Sequence, residues 1–257
     1  MSFNLRRGSI IPPNSWAKRR PVVAELLRRE QPTVLGTQEG LYGQLTDIHR
    51  DLPDHYDWIG VGRAGGSRDE FMAVFYDTSR LAPVEFDHFW LSDTPDVIGS
   101  TSWGNRIPRM VTWVRFADLR AGGEFVVVNT HLDHESEDAR QRAAALLRDR
   151  IDGFAPELPV VLTGDFNAPA GASISYETLV AGLTDTWTAA EKQSTPLYCT
   201  FHGYGPLMPD GVRIDWILTR GVDVHVAAIN TFEQGSRYPS DHLPVQALVT
   251  VTRQHTV

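Results

Sequence analysis

The chain has 257 residues, and 24 Lys and Arg against 32 Asp and Glu leave a formal net charge of −8. Its basic residues cluster only in "KRRPVVAELLRRE" and "ARQRAAALLRDR", both at helical spacing, so the broad basic footprint of a protein that grips a long duplex is missing. A hydrophobic fraction of 42% supports a sizeable core, no apolar run approaches the ~18 residues of a membrane span, and a lone cysteine, Cys199, excludes an internal disulfide framework. No Pro/Gly/Ser-rich linker divides the sequence, which predicts one domain over residues 1–257, expected to be a monomer. The opening "MSFNLRRGSI" has no apolar signal-peptide core, and with the single cysteine this gives the expectation of a cytoplasmic protein.

In chain order, "MSFNL" alternates as a strand does, and Pro21 is expected in the first turn of a helix that runs to about Glu30. "TVLGTQE" reads as a short strand ending on Glu39, and "YGQLTDIHRDL" as an amphipathic helix. Four β-rich runs follow: "FMAVFYD", "VEFDHFWL", "RMVTWVRF" and "EFVVVNTHL". "ESEDARQRAAALLRDRI" is the clearest helix, with Leu146, Leu147 and Ile151 on an apolar stripe and acids at its N-terminus. "LPVVLTGDF" is the next strand and "SYETLVAGL" a shorter helix, before the strands "VRIDWILT", "VHVAAINTF" and "PVQALVTV". Strands and helices that mix without strict alternation predict an α/β sandwich holding mixed sheets, not a barrel or a doubly wound sheet.

The strand ends carry the chemistry. "LPVVLTGDFNAPAG" leaves the core on Asp165 and Asn167, two residues apart and so on one face of an extended chain. Taken alone, the pair is an Asx-turn. Asn4 and Glu39, however, close the first two strands, His131 closes "VVVNTH", Asp215 lies in "VRIDWIL", and Asp241 and His242 precede the last strand. Ligands of α/β proteins gather at such strand ends. Hard oxygen acids and amides with two histidines make a poor zinc cage but a good open Mg²⁺ or Mn²⁺ site.

The ordered series "SFN", "TQE", "NTHLDH", "GDFN", "RIDWIL" and "SDHLPV" resembles the endonuclease/exonuclease/phosphatase superfamily of metal-dependent phosphoesterases, over essentially the whole chain. The string "FWLSDTPDVIGSTSWGNRIPRMVTW" looks like a bacterial subgroup of it. The resemblance implies a four-layered α/β sandwich, two mixed sheets face to face with helices outside, and a divalent cofactor, Mg²⁺ or Mn²⁺. It implies that Asn4, Glu39, Asp241 and Asp165 form the metal site, with Glu39 the main ligand and Asp241 completing or hydrogen-bonding it. Asp165 would orient or deprotonate the attacking water and Asn167 would hold it or a phosphate oxygen. His242 would contact the phosphate with Asp215 behind it, and His131 would contact phosphate or protonate the leaving oxygen with Glu70 orienting it. Arg109 would grip phosphate.

Bland readings stand beside these. Glu39 alone is a solvated strand-end acid, Arg109 an edge-strand charge, and Asp215 a turn cap, although an acid between Ile214 and Trp216 is costly without a partner. His49, His55, His225 and His255 have no motif and are expected on the surface, His88 and His202 are open, and Trp90, Trp103, Trp113 and Trp216 read as core. The loops "GRAGGSRDE", "SDTPDVIGSTSWGNRI" and "YCTFHGYGPLMPDG" are placed to shape a pocket, and Arg140 to approach His131. The expected function is a divalent-metal-dependent phosphodiesterase on a small or exposed sugar, lipid or nucleotide substrate, with no membrane span. A DNA or RNA nuclease, which the missing basic loops disfavour, a phosphomonoesterase and a catalytically silent binding protein are the alternatives.

Overall fold

The computed structural model describes residues 1–251; the expectation for His255 lies outside them. The strands of the N-terminal part are β1 Ser2–Asn4, β2 Val34–Gln38, β3 Gly40–Leu41, β4 Tyr56–Ile59, β5 Glu70–Phe71, β6 Val74–Asp77 and β7 Leu81–Trp90. Then come β8 Met110–Asp118, β9 Glu124–His131, β10 Val160–Asp165, β11 Thr184–Asp185, β12 Lys192–Gln193, β13 Asp215–Arg220, β14 Val222–Ile229 and β15 Val245–Val251. The helices are α1 Trp16–Glu30, α2 Tyr42–Asp51, α3 Glu137–Asp152, α4 Ile174–Val180 and α5 Thr186–Ala189. No helix among the described residues is long and apolar enough to cross a membrane.

Two large mixed sheets result, in the orders β12-β14-β15-β1-β2-β6-β4 and β11-β13-β10-β9-β8-β7. In the first, β1 runs parallel to β2 and antiparallel to β15; in the second, β10 runs parallel to β9 and antiparallel to β13. Helices α1 and α2 cover the outer face of the first sheet, where Val23, Leu26, Leu45 and Ile48 pack on Phe3, Leu35 and Phe75. Helices α3 and α4 cover the second, with Leu147, Ile151 and Leu179 against Val126, Leu162 and Trp216. Val74 and Tyr76 of one sheet meet Val114, Phe116 and Val127 of the other between the layers. Each such side chain, once buried, contributes ~1.5–3 kcal/mol.

The sheets meet through a polar patch as well. Gln38 donates to Asn129 Oδ1 at 2.7 Å, Thr163 to the same oxygen at 3.0 Å, and Asn129 to the Thr37 carbonyl at 2.8 Å, all buried. A Cβ on Gly36 would stand 2.2 Å from Thr163 Oγ1, so only glycine lets the sheets approach there. Because Gln38 precedes Glu39 and Thr163 stands two residues before Asp165, this patch ties together the two strand ends that carry the acids.

Helix α3 follows its sequence signals. Ser136 caps it by accepting from Ala139 N, Glu137 and Asp138 occupy the first turn, and Ala143, Leu147 and Ile151 form the buried stripe. Pro21 differs from expectation. It stands inside α1, not in its first turn, because Lys18 N and Arg19 N already bond to Ser15 O and start the helix at Trp16. Pro21 is exposed, so the hydrogen bond its nitrogen cannot make is lost on the solvent side. "FMAVFYD" also divides, into β5 and β6, and "VRIDWILT" becomes a strand only from Asp215. β4 and the single turn α5 carry no strong periodicity and were not expected.

Candidate active site

The register of the second sheet brings the first three candidates side by side. Asp165, the last residue of β10, pairs with His131 of β9 on one flank and Asp215 of β13 on the other. From the first sheet come Asn4 at the end of β1 and Glu39 just beyond β2, where the chain turns with Glu39 at φ 62°. The loop before β15 supplies His242.

These side chains converge on Asp165, which is buried. Asn4 Nδ2 donates to Asp165 Oδ2 at 2.8 Å and to Glu39 Oε1 at 3.0 Å, bridging the two acids. The other end of the amide, Asn4 Oδ1, accepts from Arg6 N at 2.8 Å, and Glu39 Oε2 accepts from Arg7 N at 2.8 Å. His131 Nε2 and His242 Nε2 stand 3.5 and 3.7 Å from Asp165 Oδ2. Asp215 Oδ2 lies 2.9 Å from His242 Nδ1, while its Oδ1 has no partner among the described residues. Asn167, at φ 48°, donates Nδ2 to the Leu132 carbonyl and to His131 Nε2, each at 3.0 Å. With both amide protons committed, His131 Nε2 is an acceptor and the ring's proton belongs on Nδ1, which finds no partner among the described residues.

Electrostatics separates these groups. Burial and the Asp215 carboxylate raise Asp165 to about 7, with His242 pulling the other way. Burial opposes charge on the His242 ring, but Asp215 and Asp165 outweigh it and hold the ring up at about 10. Burial pushes His131 well below the ordinary imidazole value, and the Arg109 guanidinium and the His242 charge push it further. At neutral pH the site therefore holds one imidazolium, one neutral imidazole and a carboxyl close to its midpoint.

The donor set fits a hard divalent cation. Ligand atoms of Glu39, His131 and Asp165 lie within 4.8 Å of one another. Carboxylate oxygens dominate and no thiolate is near, which suits Mg²⁺ or Mn²⁺ better than Zn²⁺. Asn4 departs from its expected place, since its oxygen is taken by Arg6 N and it meets the acids as a donor. Asp241 is likewise outside that group of ligand atoms; its carboxylate pairs with Arg6 at 3.3 Å. Glu70 is not behind His131. Its carboxylate pairs with Arg63 at 2.7 Å and Arg7 at 3.5 Å, the attraction of two guanidiniums outweighing a neutral ring. Arg109 is buried beside His131 but is held by Asp133 at 3.4 Å and His134 Nδ1 at 2.9 Å. Arg140 reaches the loop after His131, donating to Asp133 O at 2.8 Å.

Sequence reasoning missed Arg63 and Ser240. Arg63 sits in a glycine-rich loop that signals only a turn, yet it is buried and forks onto Asp69 and Glu70. Ser240 donates to Asn4 O at 2.7 Å and so ties the His242 loop to β1; the adjacent "DH" was its only signal.

The profile of the Endonuclease/Exonuclease/phosphatase family matches residues 1–242. The chain belongs to this family. An endonuclease/exonuclease/phosphatase from Bacteroides vulgatus superimposes with a TM-score of 0.91 at 32% identity, covering 98% of this chain and 97% of that one. The mannosyl-6-phosphatase of Bacteroides thetaiotaomicron gives 0.89 at 33% identity, over 97% and 98% of the two chains. Protein angel of Drosophila melanogaster is 24% identical over 218 residues, which cover 79% of this chain but only 57% of that relative's length. Members of the endonuclease/exonuclease/phosphatase family are generally divalent-metal-dependent hydrolases of phosphoester bonds, and the acids and histidines described above are the chemistry such a reaction needs.

Proposed function

We propose that this chain hydrolyses a phosphoester of a small phosphorylated carbohydrate by in-line attack of water, with Mg²⁺ or Mn²⁺ held by Glu39 and Asp165. The observation that carries this reading is the junction at Asp165, where one carboxylate oxygen accepts from Asn4 Nδ2 and lies within 3.7 Å of both ring nitrogens. A bound divalent ion would supply positive charge against the phosphate oxygens and so lower the barrier to attack by a neutral nucleophile. Asp165 takes the proton of the attacking water, a role open to a buried carboxylate fixed at the centre of the site by Asn4. Asn167 Oδ1, which accepts no hydrogen bond among the described residues, receives the water's second proton as a hydrogen bond and aims it. His242, fixed through Nδ1 by Asp215, turns its Nε2–H to the phosphate and gives that proton to the departing oxygen. His131 holds Asn167. Asp241 and Glu70 keep Arg6, Arg7 and Arg63 at the rim, and Arg109 adds its charge beside the phosphate.

Two features support a small substrate over a polynucleotide. Each of Arg6, Arg7, Arg63 and Arg109 is already paired with an acid, so these four offer a polynucleotide no free basic track. The relative named as a mannosyl-6-phosphatase matches nearly the whole chain at 33% identity, and that likeness supports a sugar phosphomonoester as the first reading. A phosphodiester is the second reading, favoured by Phe201, whose ring lies 5.0 Å from that of His242 and is 48% exposed, a platform for a second substituent.

The test is a panel of sugar phosphates, chromogenic monoesters and diesters, a plasmid and a short RNA, each with Mg²⁺, Mn²⁺ or EDTA. Sugar phosphates should turn over fastest, EDTA should abolish the reaction, and Mg²⁺ or Mn²⁺ should restore it. Full activity in chelator-treated protein would overturn the mechanism, and a plasmid hydrolysed fastest would overturn the substrate.

A further inference from the structure

Arg19, in the first turn of α1, is wholly buried and has no carboxylate within ion-pair distance among the described residues. Its guanidinium instead donates to four backbone carbonyls: Nε to Asn14 at 3.0 Å, Nη1 to Leu5 at 2.6 Å and Pro239 at 3.0 Å, and Nη2 to Arg6 at 3.0 Å. An interior cation without an anion is costly, and an aliphatic side chain would fill the same space more cheaply.

The far ends of those peptide groups explain the arrangement. The Leu5–Arg6 peptide gives its oxygen to Arg19 and its Arg6 N–H to Asn4 Oδ1. The next peptide gives the Arg6 oxygen to Arg19 and the Arg7 N–H to Glu39 Oε2. Successive peptides point the same way because Arg6 takes the left-handed conformation at φ 54°. The Pro239 carbonyl, also on Arg19, precedes Ser240, which bonds to Asn4 O, and His242 follows. We propose that Arg19 is a positioning residue for the cation-binding acids, aligning two consecutive peptide dipoles so that their N–H ends fix Glu39 directly and Asn4, the amide that bridges Glu39 to Asp165. A charge at the carbonyl end strengthens the hydrogen bond at the N–H end, since chains of hydrogen bonds polarise one another. Arg19 thus acts on Glu39 through two bonds without touching it. The inference rests on the reading of Glu39 as a metal ligand.

Calorimetric titration of Mn²⁺ into metal-free protein tests it, with wild type, Arg19→Lys, Arg19→Met and Leu147→Ala compared alongside their melting temperatures. Lysine keeps the charge but has three donors and no fork, so it cannot hold all four carbonyls. Arg19→Lys should weaken Mn²⁺ about 10-fold and Arg19→Met up to ~100-fold, the range for residues that orient a metal ligand. Leu147→Ala, a cavity on the far side of the second sheet, should melt earlier yet bind Mn²⁺ as wild type does. Should Arg19→Met fail to fold, Arg19→Lys decides alone. Wild-type affinity in Arg19→Lys, or an equal loss in Leu147→Ala, would overturn the inference and leave Glu39 as a ligand. A wild-type protein that bound no Mn²⁺ would overturn the functional reading and this inference with it.

Discussion

His131 and His242 flank the same Asp165 oxygen, at 3.5 and 3.7 Å, and both are buried, yet their surroundings are opposite. His242 is backed by a buried carboxylate at 2.9 Å and is held up at about 10. His131 has an amide donor on one nitrogen, nothing on the other and the charges of Arg109 and Arg63 nearby, and it falls well below the ordinary value. Burial alone lowers any histidine, so the difference is made by the neighbours. Two residues of one type, placed symmetrically about one acid, become a proton donor and a hydrogen-bond acceptor. The sequence treats them as equals, since each ends or precedes a strand beside an acid.

The largest effect should come from removing what the two rings share. Asp165→Asn keeps the shape but loses the acceptor of the water's proton, and turnover should fall by ~10³–10⁴, the upper range for a positioned acid–base group. Single-turnover kinetics on the best panel substrate measures it. A loss below tenfold would mean that the two histidines do not serve one centre.

Next come the variants on the His242 side. His242→Ala should cost ~10²–10³ in rate, and Asp215→Asn a smaller ~10–100-fold, because the ring remains but is no longer fixed or held charged. In metal-free wild type, nitrogen-detected NMR should find His242 protonated until the pH approaches 10, and Asp215→Asn should bring that titration down towards 6.5. A ring in wild type that loses its proton near 6.5 would remove the asymmetry altogether.

On the other side the effect should be smaller and of a different kind. His131→Ala removes an acceptor for Asn167, so it should cost about 10-fold to 10²-fold, less than His242→Ala. Asn167→Ala should cost about the same, and the double variant little more than either, because residues that act as a unit are not additive. Should His131→Ala lose more than His242→Ala, together with the alkaline limb of the rate profile, His131 would be the proton donor after all.

What could be read from the sequence follows from how local each feature is. The strand ends were legible because "VVVNTH" and "VVLTGDFN" carry apolar runs into a polar stop and "RIDWIL" sets an acid at the head of an apolar run, and their register then aligns His131, Asp165 and Asp215 without further instruction. The two-sheet sandwich was legible for the same reason. Partnerships that cross between sheets or loops were not. Whether the Asn4 amide faces the acids with oxygen or nitrogen depends on Arg6 N, a turn at positive φ that no pattern in "SFNLRR" announces. Arg19 is hidden in a run of three basic residues whose helical spacing fits a solvated face, and Pro21 misplaces the helix start that would have put it inside.

The smallest effect tests a partnership that sequence and structure assign differently. The family pattern puts Glu70 behind His131, whereas the carboxylate lies 2.7 Å from Arg63, which also forks onto Asp69. In the structure's arrangement Glu70→Gln keeps a hydrogen-bond acceptor for Arg63 and leaves that guanidinium paired, so turnover should change less than tenfold. Stability should carry the clearer signature. Burial raises Glu70 to about 7 from the ordinary carboxyl value of 4.5, against the pull of Arg63. An acid raised on folding contributes stability that is full below its unfolded value and is lost as pH rises through the folded one. Wild type should therefore lose ground between pH 5 and 8.5 while Glu70→Gln does not, and the difference should move in the variant's favour by on the order of 1–3 kcal/mol. Denaturant midpoints of both proteins at the two pH values measure it. A rate loss near 10²-fold with a flat stability difference would instead tie Glu70 to the His131 ring.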